Sequence, residues 1–340
     1  MIGWFLIKST IILLPESCPE RRQKQESSRI PPVRMRRFIL SDLKIEKYPS
    51  IIARPYNLAC EQDEQWKDWL RFTFENLMTV LASYATSDLL NIYLSVRNPL
   101  EEDEDKEAQD TSELINALKN IPELKRIGLE QMSLGKWAGA LRETTKVLEK
   151  YPDRVFIPEL SKLFQPIGGN ELWKNIDRLI SIRNQDAHGA IIQPDKLNDE
   201  LNKRQELLDN ILQKCDFLEN YSIAVFNRLV LDSDSQQILG NKFANTGSEE
   251  ILAPTLLSPP LNEVVLVDSK MNGYIKLRPL MVYAPVKNQE NRQLCLYSKR
   301  SGDNVHYLGI DGPVDLSIEK FDNENDQGIG EPWKHLNEIY

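Results

Sequence analysis

The chain has 340 residues, of which 41% are hydrophobic and 27% are charged, and this balance is typical of globular proteins. Its net charge of −9 argues against a protein that coats nucleic acid through a broadly basic surface, although a small local phosphate site is compatible with it. The cysteines form no CxxC pair and no Cys/His cluster, which argues against a zinc site and against a secreted disulfide framework; they are Cys18, Cys60, Cys215 and Cys295. We therefore expect free thiols and a cytoplasmic protein.

The N-terminal segment, residues 1–37, is expected to be a flexible lead-in because much of it is rich in proline, arginine and serine. Its apolar stretch, residues 1–14, is interrupted by a lysine and ended by a proline. That stretch is short for a bilayer span and lacks the basic start and the small-residue cleavage site of a signal peptide. We expect no membrane partner. Two origins of residues 1–34 stay open: a native lead-in, or sequence upstream of a true start at Met35.

Residues 38–232 are expected to form a helical domain. Two prolines argue against a long helix in its first part, and we predict extended chain over residues 38–56. Apolar residues then recur at helical spacing over residues 66–92, which predicts a long helix whose aromatic side chains belong to the core. Pro99 ends this helix.

Shorter elements follow the long helix. Residues 98–111 are acidic and almost free of apolar side chains, so they predict a solvated loop. Two short helices are predicted within residues 112–131. Ser133 is placed to cap the N-terminus of a helix that runs to Leu148, and a short apolar segment at residues 157–164 follows it.

Residues 170–189 predict an amphipathic helix, because apolar residues recur at i, i+3, i+4 and i+7 along one face; they are Leu172, Trp173, Ile176, Leu179 and Ile180. The next positions on this face are Arg183 and Ala187, so the apolar stripe ends in an arginine. A charged side chain in that place needs a partner, a ligand or a wet crevice, because burying it alone costs too much free energy. Gly189 supplies a residue suited to the end of the helix.

Helical spacing of apolar residues continues from Pro194 to Leu229, which predicts the longest helix of this region. The next segment, residues 233–260, is polar and punctuated by proline and glycine. We expect a linker there.

Beyond the linker the apolar residues alternate with a period of two. Residues 261–322 predict five strands of a small antiparallel β-meander or barrel, with a hairpin turn at Asn272-Gly273. Residues 323–340 are weakly patterned and are expected to be a tail. The whole chain is therefore predicted to be an α+β protein, with a helical domain followed by a small β domain.

Three polar residues at the end of the 170–189 helix carry the candidate chemistry. Asn184 and His188 are four residues apart and share a helical face, and Arg183 lies one step round from Asn184. All three side chains can therefore point into one arc. A histidine can transfer protons near neutral pH, and a guanidinium offers forked donors to phosphate oxygens. These residue types suit a site that binds a phosphate group and transfers a proton.

The string Arg183-Asn184-x-x-Ala187-His188-Gly189 resembles the R-x(4–6)-H motif of the HEPN superfamily. The resemblance implies a helical bundle that forms a homodimer, with Arg and His of both copies lining a shared cleft. Many members are metal-independent endoribonucleases of bacterial toxin–antitoxin or antiviral defence systems. For this chain the resemblance implies that Arg183 clamps an RNA phosphate, His188 acts as acid or base and Asn184 orients the base or the phosphate, with no metal and no cofactor.

Two further interpretations stay open beside cleavage. One makes the helical domain a non-catalytic scaffold that senses nucleotide or RNA. The other makes the motif structural, with Arg183 holding a carboxylate on the 66–92 helix, and Glu75 is the partner that we predict. The β domain has no recognisable chemical motif and is expected to bind a protein partner. His306 is expected at a surface or in packing, and nothing in the tail recruits His335.

Overall fold

The structure is a computed structural model, and it describes residues 43–61, 64–97, 130–164, 171–189, 193–232, 235–244, 247–254, 257–285, 292–301, 304–309, 312–317 and 330–339. These residues belong to one compact unit, Leu40–Tyr340. The expected lead-in and acidic loop lie outside the described residues, as do nearly all residues of the two short helices expected within residues 112–131.

The described α-helices surround one long central helix. They are α1 (Ser50–Cys60), α2 (Trp66–Arg97), α3 (Leu134–Leu148), α4 (Pro158–Leu163), α5 (Glu171–Ala187), α6 (Leu197–Lys214) and α7 (Gly330–Ile339), with short 3₁₀ helices at Ile45–Lys47, Pro194–Lys196 and Asp216–Asn220. Helix α2 packs against α1, α3, α4 and α6. Its middle part is buried on almost every side, which explains its apolar sequence.

Several helix predictions are confirmed. Helix α2 covers the predicted stretch, and α3 begins after Ser133, whose Oγ accepts a hydrogen bond from the backbone N–H of Lys136 at 3.4 Å. Helix α5 covers the amphipathic segment. Gly189 follows it with a φ of 81°, a left-handed conformation that glycine adopts without strain.

The prediction of extended chain before residue 56 is wrong, because α1 occupies Ser50–Cys60 with Pro55 inside it. A proline cannot donate the helical hydrogen bond to the carbonyl four residues earlier. Here that carbonyl, Ile51 O, accepts a hydrogen bond from the side-chain amide Nδ2 of Asn76 at 2.8 Å. A side chain of α2 thus supplies the hydrogen bond that Pro55 cannot donate to this carbonyl.

The strands form two antiparallel sheets. The first contains β1 (Tyr221–Asp232), β2 (Ser235–Ala244), β3 (Gly247–Leu252), β4 (Val264–Asp268) and β5 (Tyr274–Lys276), in the order β3-β2-β1-β4-β5. The second contains β6 (Met281–Pro285), β7 (Arg292–Ser301), β8 (Asn304–Gly309) and β9 (Gly312–Ser317), in sequence order. The protein is α+β. The hairpin expected at Asn272-Gly273 is confirmed, since β4 and β5 pair across it.

The boundary between helices and strands differs from the prediction. The long helix expected as far as Leu229 ends at Lys214, and β1 begins at Tyr221. The expected linker, residues 233–260, holds β2 and β3. The single five-stranded meander expected over residues 261–322 is also wrong, because β1, β2 and β3 join β4 and β5 in one sheet while the later strands form another.

The expected tail contains helix α7, in which Trp333, His335, Leu336 and Ile339 are buried. The ring centroid of His335 lies 6.1 Å from that of Tyr93 in α2. This histidine therefore belongs to the packing of α7 against α2. His306 is half-buried on β8. The described cysteines (Cys60, Cys215 and Cys295) are free thiols. No helix in the described part of the chain combines the length and apolar character needed to cross a membrane.

The second sheet and the helices share hydrogen bonds and aromatic contacts. The segment before α3 runs along β7, where the backbone N–H of Met132 donates to Ser298 O at 3.3 Å. Trp137 of α3 lies 6.3 Å from Tyr297 of β7, and Tyr297 lies 4.8 Å from Trp333 of α7, measured between ring centroids. Residues from helices and sheet therefore meet at one junction, beside which the candidate site lies.

Candidate functional site

Arg183 lies near the C-terminal end of α5, after the apolar face of that helix has been used in packing. Leu172, Trp173, Ile176 and Leu179 are buried, whereas the side chain of Arg183 remains 36% exposed. Its Nε donates a hydrogen bond to Oε1 of Glu75 at 2.8 Å. The predicted pairing of Arg183 with Glu75 on α2 is therefore confirmed.

The pairing uses only one edge of the guanidinium. Glu75 accepts from Nε, and the two terminal nitrogens, Nη1 and Nη2, have no partner among the described residues. A guanidinium carries five N–H donors. Four of them, on the two terminal nitrogens, stay available, while Glu75 restricts how the planar group can turn.

Arg183 and Glu75 line a pocket of about 620 Å³. Helices α1 and α2 form one side of it, and the start of α3 and strands β7 and β8 contribute the other side. Arg54 of α1 also lines the pocket; its side chain is exposed and has no hydrogen-bond or ion-pair partner in the described ranges. The charged residues that line the pocket are therefore two arginines and one glutamate, which give it a net positive charge within an acidic chain.

Aromatic and apolar side chains supply most of the remaining pocket wall. Trp137 and Tyr297 are nearly buried, Phe72 is 39% exposed and Leu308 is 56% exposed. Trp69 also lines the pocket, and its indole Nε1 is buried without a hydrogen-bond acceptor among the described residues. All the aromatic residues of α2 were expected in the core, because helical spacing alone does not show that one edge of the core opens into a cavity.

Asn184 and His188 are exposed at the end of α5, and neither lines the pocket of Arg183. The backbone N–H of His188 donates to Asn184 O at 3.1 Å, so helical hydrogen bonding extends to the histidine. A separation of five residues turns a helix by about 140° beyond one full turn. Within one copy of the chain, Arg183 therefore faces the pocket together with Glu75, and Asn184 and His188 lie outside it.

Asp186 links α5 to two other helices, a role that was not predicted from the sequence. Its side chain is only 11% exposed and contacts Lys67 Nζ at 3.2 Å and Arg204 Nη1 at 2.6 Å. Burial by itself raises the pKa of Asp186, but Arg204 and Lys67 outweigh it and hold the pKa below the ordinary value. The only sequence signal for this residue is its three-residue spacing from Arg183, which places Asp186 and Arg183 on adjacent parts of one helical face.

In the ranges that the structure describes, no three His, Cys, Asp or Glu side chains are grouped closely enough to hold a metal ion. The arrangement of groups around Arg183 suits an anion with an apolar part. Comparisons of the chain with protein-family models, with curated proteins and with solved structures found no match.

Proposed function

We propose that this protein is a HEPN-like RNA- or nucleotide-sensing protein that binds a phosphate group at Arg183 without cleaving it. The observation that carries the proposal is the side-on pairing of Arg183 with Glu75, which occupies Nε at 2.8 Å and leaves the terminal nitrogens of a pocket-lining arginine without a partner among the described residues. A guanidinium held in this way can give two parallel hydrogen bonds to phosphate oxygens. Arg54 in the same pocket adds a second positive charge.

A local site of this kind agrees with the acidic character of the chain. The net charge of −9 disfavours contact with nucleic acid over a broad surface, and a pocket site requires only a few contacts. RNA as the ligand follows from the HEPN resemblance. A small number of phosphate contacts should make the affinity only weakly dependent on salt.

The test is binding of a short single-stranded RNA in EDTA, measured by fluorescence anisotropy. Arg183→Ala should weaken binding by about ten- to a hundred-fold, the usual loss for charge-assisted hydrogen bonds. Arg178→Ala is the matched control, because Arg178 is exposed on the same helix and does not line the pocket. Equal effects of the two substitutions would overturn the proposal.

Metal-independent cleavage of RNA is the second candidate function, favoured by the joint exposure of Asn184, in the last turn of α5, and of His188, which directly follows that helix. In this version Arg183 clamps the scissile phosphate, His188 moves the proton and Asn184 orients one of them, at a cleft completed by a second copy. Such a protein would act in a bacterial defence or toxin–antitoxin system, and a protein partner would bind its sheets.

Cleavage has its own test. EDTA-resistant cutting of RNA should disappear in Arg183→Ala and in His188→Ala, and persist in Gln185→Ala, a change of an exposed neighbour on the same turn. Sedimentation analysis should show a dimer. If the chain binds RNA through Arg183 but does not cut it, the cleavage function is wrong and only the sensing function remains.

A further inference from the structure

We propose that the pocket beside Arg183 accepts one unpaired nucleotide, with its base against the apolar wall and its phosphate on Arg183. This inference rests on the proposed phosphate binding at Arg183 and adds the part of the pocket that would hold the base. The shared chemistry is a nucleobase joined to a phosphate, from a free nucleotide or from single-stranded RNA.

The apolar wall provides the first argument. Phe72 and Leu308 are 39% and 56% exposed, and both line the pocket. Large apolar side chains that remain exposed around one concave site are typical of a binding surface. A planar base has a face that stacks on an aromatic ring, and Phe72 and the half-buried Trp69 are the pocket aromatics that retain exposure. Arg71 lies over the Phe72 ring, 4.9 Å from its centroid, so a base would stack on the opposite face of that ring.

Polar groups in the wall provide the second argument, because a base also needs hydrogen-bond partners at its edge. Asn76 donates through Nδ2 to Ile51 O. Since a carbonyl oxygen only accepts, this bond fixes the amide orientation and leaves Oδ1 as an acceptor without a partner among the described residues. This oxygen can accept a hydrogen bond from a donor at the edge of a base.

Charge and size provide the third argument. Arg54, Arg183 and Glu75 leave the pocket with one net positive charge, which suits the phosphodiester or phosphomonoester of one nucleotide. A volume of about 620 Å³ lies in the range of small-ligand sites, about 300–1,000 Å³. The bases of a duplex are stacked and paired inside it and cannot enter such a pocket, whereas a splayed or terminal base can.

Calorimetric titration of the full chain tests the inference. Adenosine 5′-monophosphate should bind more tightly than adenosine or ribose 5-phosphate, because only the nucleotide has both parts. A single-stranded RNA of about five nucleotides should compete with it, and a blunt duplex should not. If the nucleotide binds more tightly than the RNA, the ligand is a free nucleotide; the reverse order identifies an RNA terminus or loop.

Phe72→Ala supplies the decisive variant. It should weaken binding of adenosine 5′-monophosphate about tenfold, the loss expected when one stacking surface is removed. Leu229→Ala is its control, since Leu229 is 47% exposed on β1 and lies outside the pocket. Should the two variants bind alike while Arg183→Ala still weakens RNA binding, the base pocket is wrong and the phosphate site stands. Should Arg183→Ala have no effect, the phosphate site itself is wrong.

Discussion

At the scale of single residues, the candidate site depends on how Glu75 affects the charge and the orientation of Arg183. The carboxylate lowers the net charge that an anionic ligand meets, yet it also fixes the plane of the guanidinium through the 2.8 Å bond to Nε. Both side chains remain partly exposed, at 36% and 27%, so the ion pair itself contributes little to folding stability. If the proposed phosphate site exists, the pair acts mainly on ligand binding, where charge and orientation have opposite effects.

Substitution of Glu75 separates these two effects. Glu75→Gln keeps an oxygen acceptor for Nε and removes the negative charge, so binding of a phosphate ligand should tighten about three- to tenfold at low salt. Glu75→Ala removes the charge and the acceptor together, and should bind less tightly than Glu75→Gln. Titrations at two salt concentrations measure both variants. If both substitutions weaken binding equally, the carboxylate has another role.

Asp209 allows a prediction about pH at the same scale. This carboxyl of α6 is 4% exposed and accepts a hydrogen bond from the Tyr56 hydroxyl at 2.9 Å. Burial, and to a smaller extent Glu206, raise the pKa of Asp209 from 3.8 to about 6, although the Tyr56 hydrogen bond lowers it. The folded protein therefore binds this proton more tightly than the unfolded chain. The stability so gained is complete below about pH 4 and is lost as the pH rises through about 6.

Asp209→Asn should remove this pH dependence, because the amide can accept the Tyr56 hydrogen bond but carries no charge. The free energy of unfolding of the wild type, relative to the variant, should fall by about 2 kcal/mol between pH 4 and pH 6.5. Urea denaturation at several pH values measures it. Asp153→Asn, at an exposed turn, should leave the wild-type profile in place. A profile unchanged by Asp209→Asn would mean that other groups cause the dependence.

At the scale of secondary-structure elements, ion pairs hold α5 near both of its ends. Near its start, Arg142 of α3 lies 4.3 Å from the ring centroid of Trp173 and pairs with Asp177 at 3.2 Å. Near its end, Asp186 joins α5 to α2 and α6 through Lys67 and Arg204. The two ion pairs differ in burial, since the Asp177 side chain is 60% exposed and that of Asp186 only 11%.

This difference predicts unequal costs of removing the two aspartates. Asp186→Ala leaves the Arg204 guanidinium, 12% exposed, without its carboxylate, and should lower the free energy of unfolding by about 2–4 kcal/mol. Asp177→Ala should cost less than about 1 kcal/mol, because both partners are well exposed. Chemical denaturation at neutral pH compares them.

The pH dependence of the Asp186→Ala effect provides a second measurement. The folded pKa of Asp186 lies below the ordinary 3.8, so its stabilising contribution is present above that pH and is lost as the pH falls through the lowered pKa. The difference between wild type and variant should therefore shrink in acid. Equal costs for Asp186→Ala and Asp177→Ala, or a difference that grows in acid, would contradict this account of α5.

The elements also show which predictions a sequence can support. The helices α2 and α5 follow from apolar spacing and α3 also from its cap, because one buried face leaves a clear period. Strand β1 could not be predicted in this way. Four successive residues of it are buried, and such a run fits a buried strand as well as a helix; they are Ile223, Ala224, Val225 and Phe226. At the site, the need of Arg183 for a carboxylate partner led to the prediction of Glu75 on the long helix, without a local pattern that singles it out. The pocket wall depends on contacts between distant segments, which no local pattern records.

At the scale of the whole molecule, helices and sheets share one interior. Strand β1 is central in its sheet, with β2 on one side and β4 on the other. The Tyr221 hydroxyl at its start donates to Glu159 of α4 at 2.8 Å. The Arg300 backbone N–H of β7 donates to Glu130 O at 2.7 Å, and Trp137 packs on Tyr297. Separating the chain near residue 232 would remove both neighbouring strands of β1 and the contacts of Glu130 and Trp137 with β7.

We therefore predict that residues 40–232, the expected helical domain, do not fold alone. In that fragment β1 loses both neighbouring strands and α3 loses its aromatic contact with β7, so apolar surface of the kind buried around Val225, Phe226 and Trp137 meets water. The fragment should show little near-ultraviolet circular dichroism and no cooperative thermal transition. Residues 40–340 should instead unfold in one transition, because shared contacts couple the two parts. A soluble, cooperatively folding fragment, or two separate transitions in the longer chain, would show that the helices and sheets are independent domains.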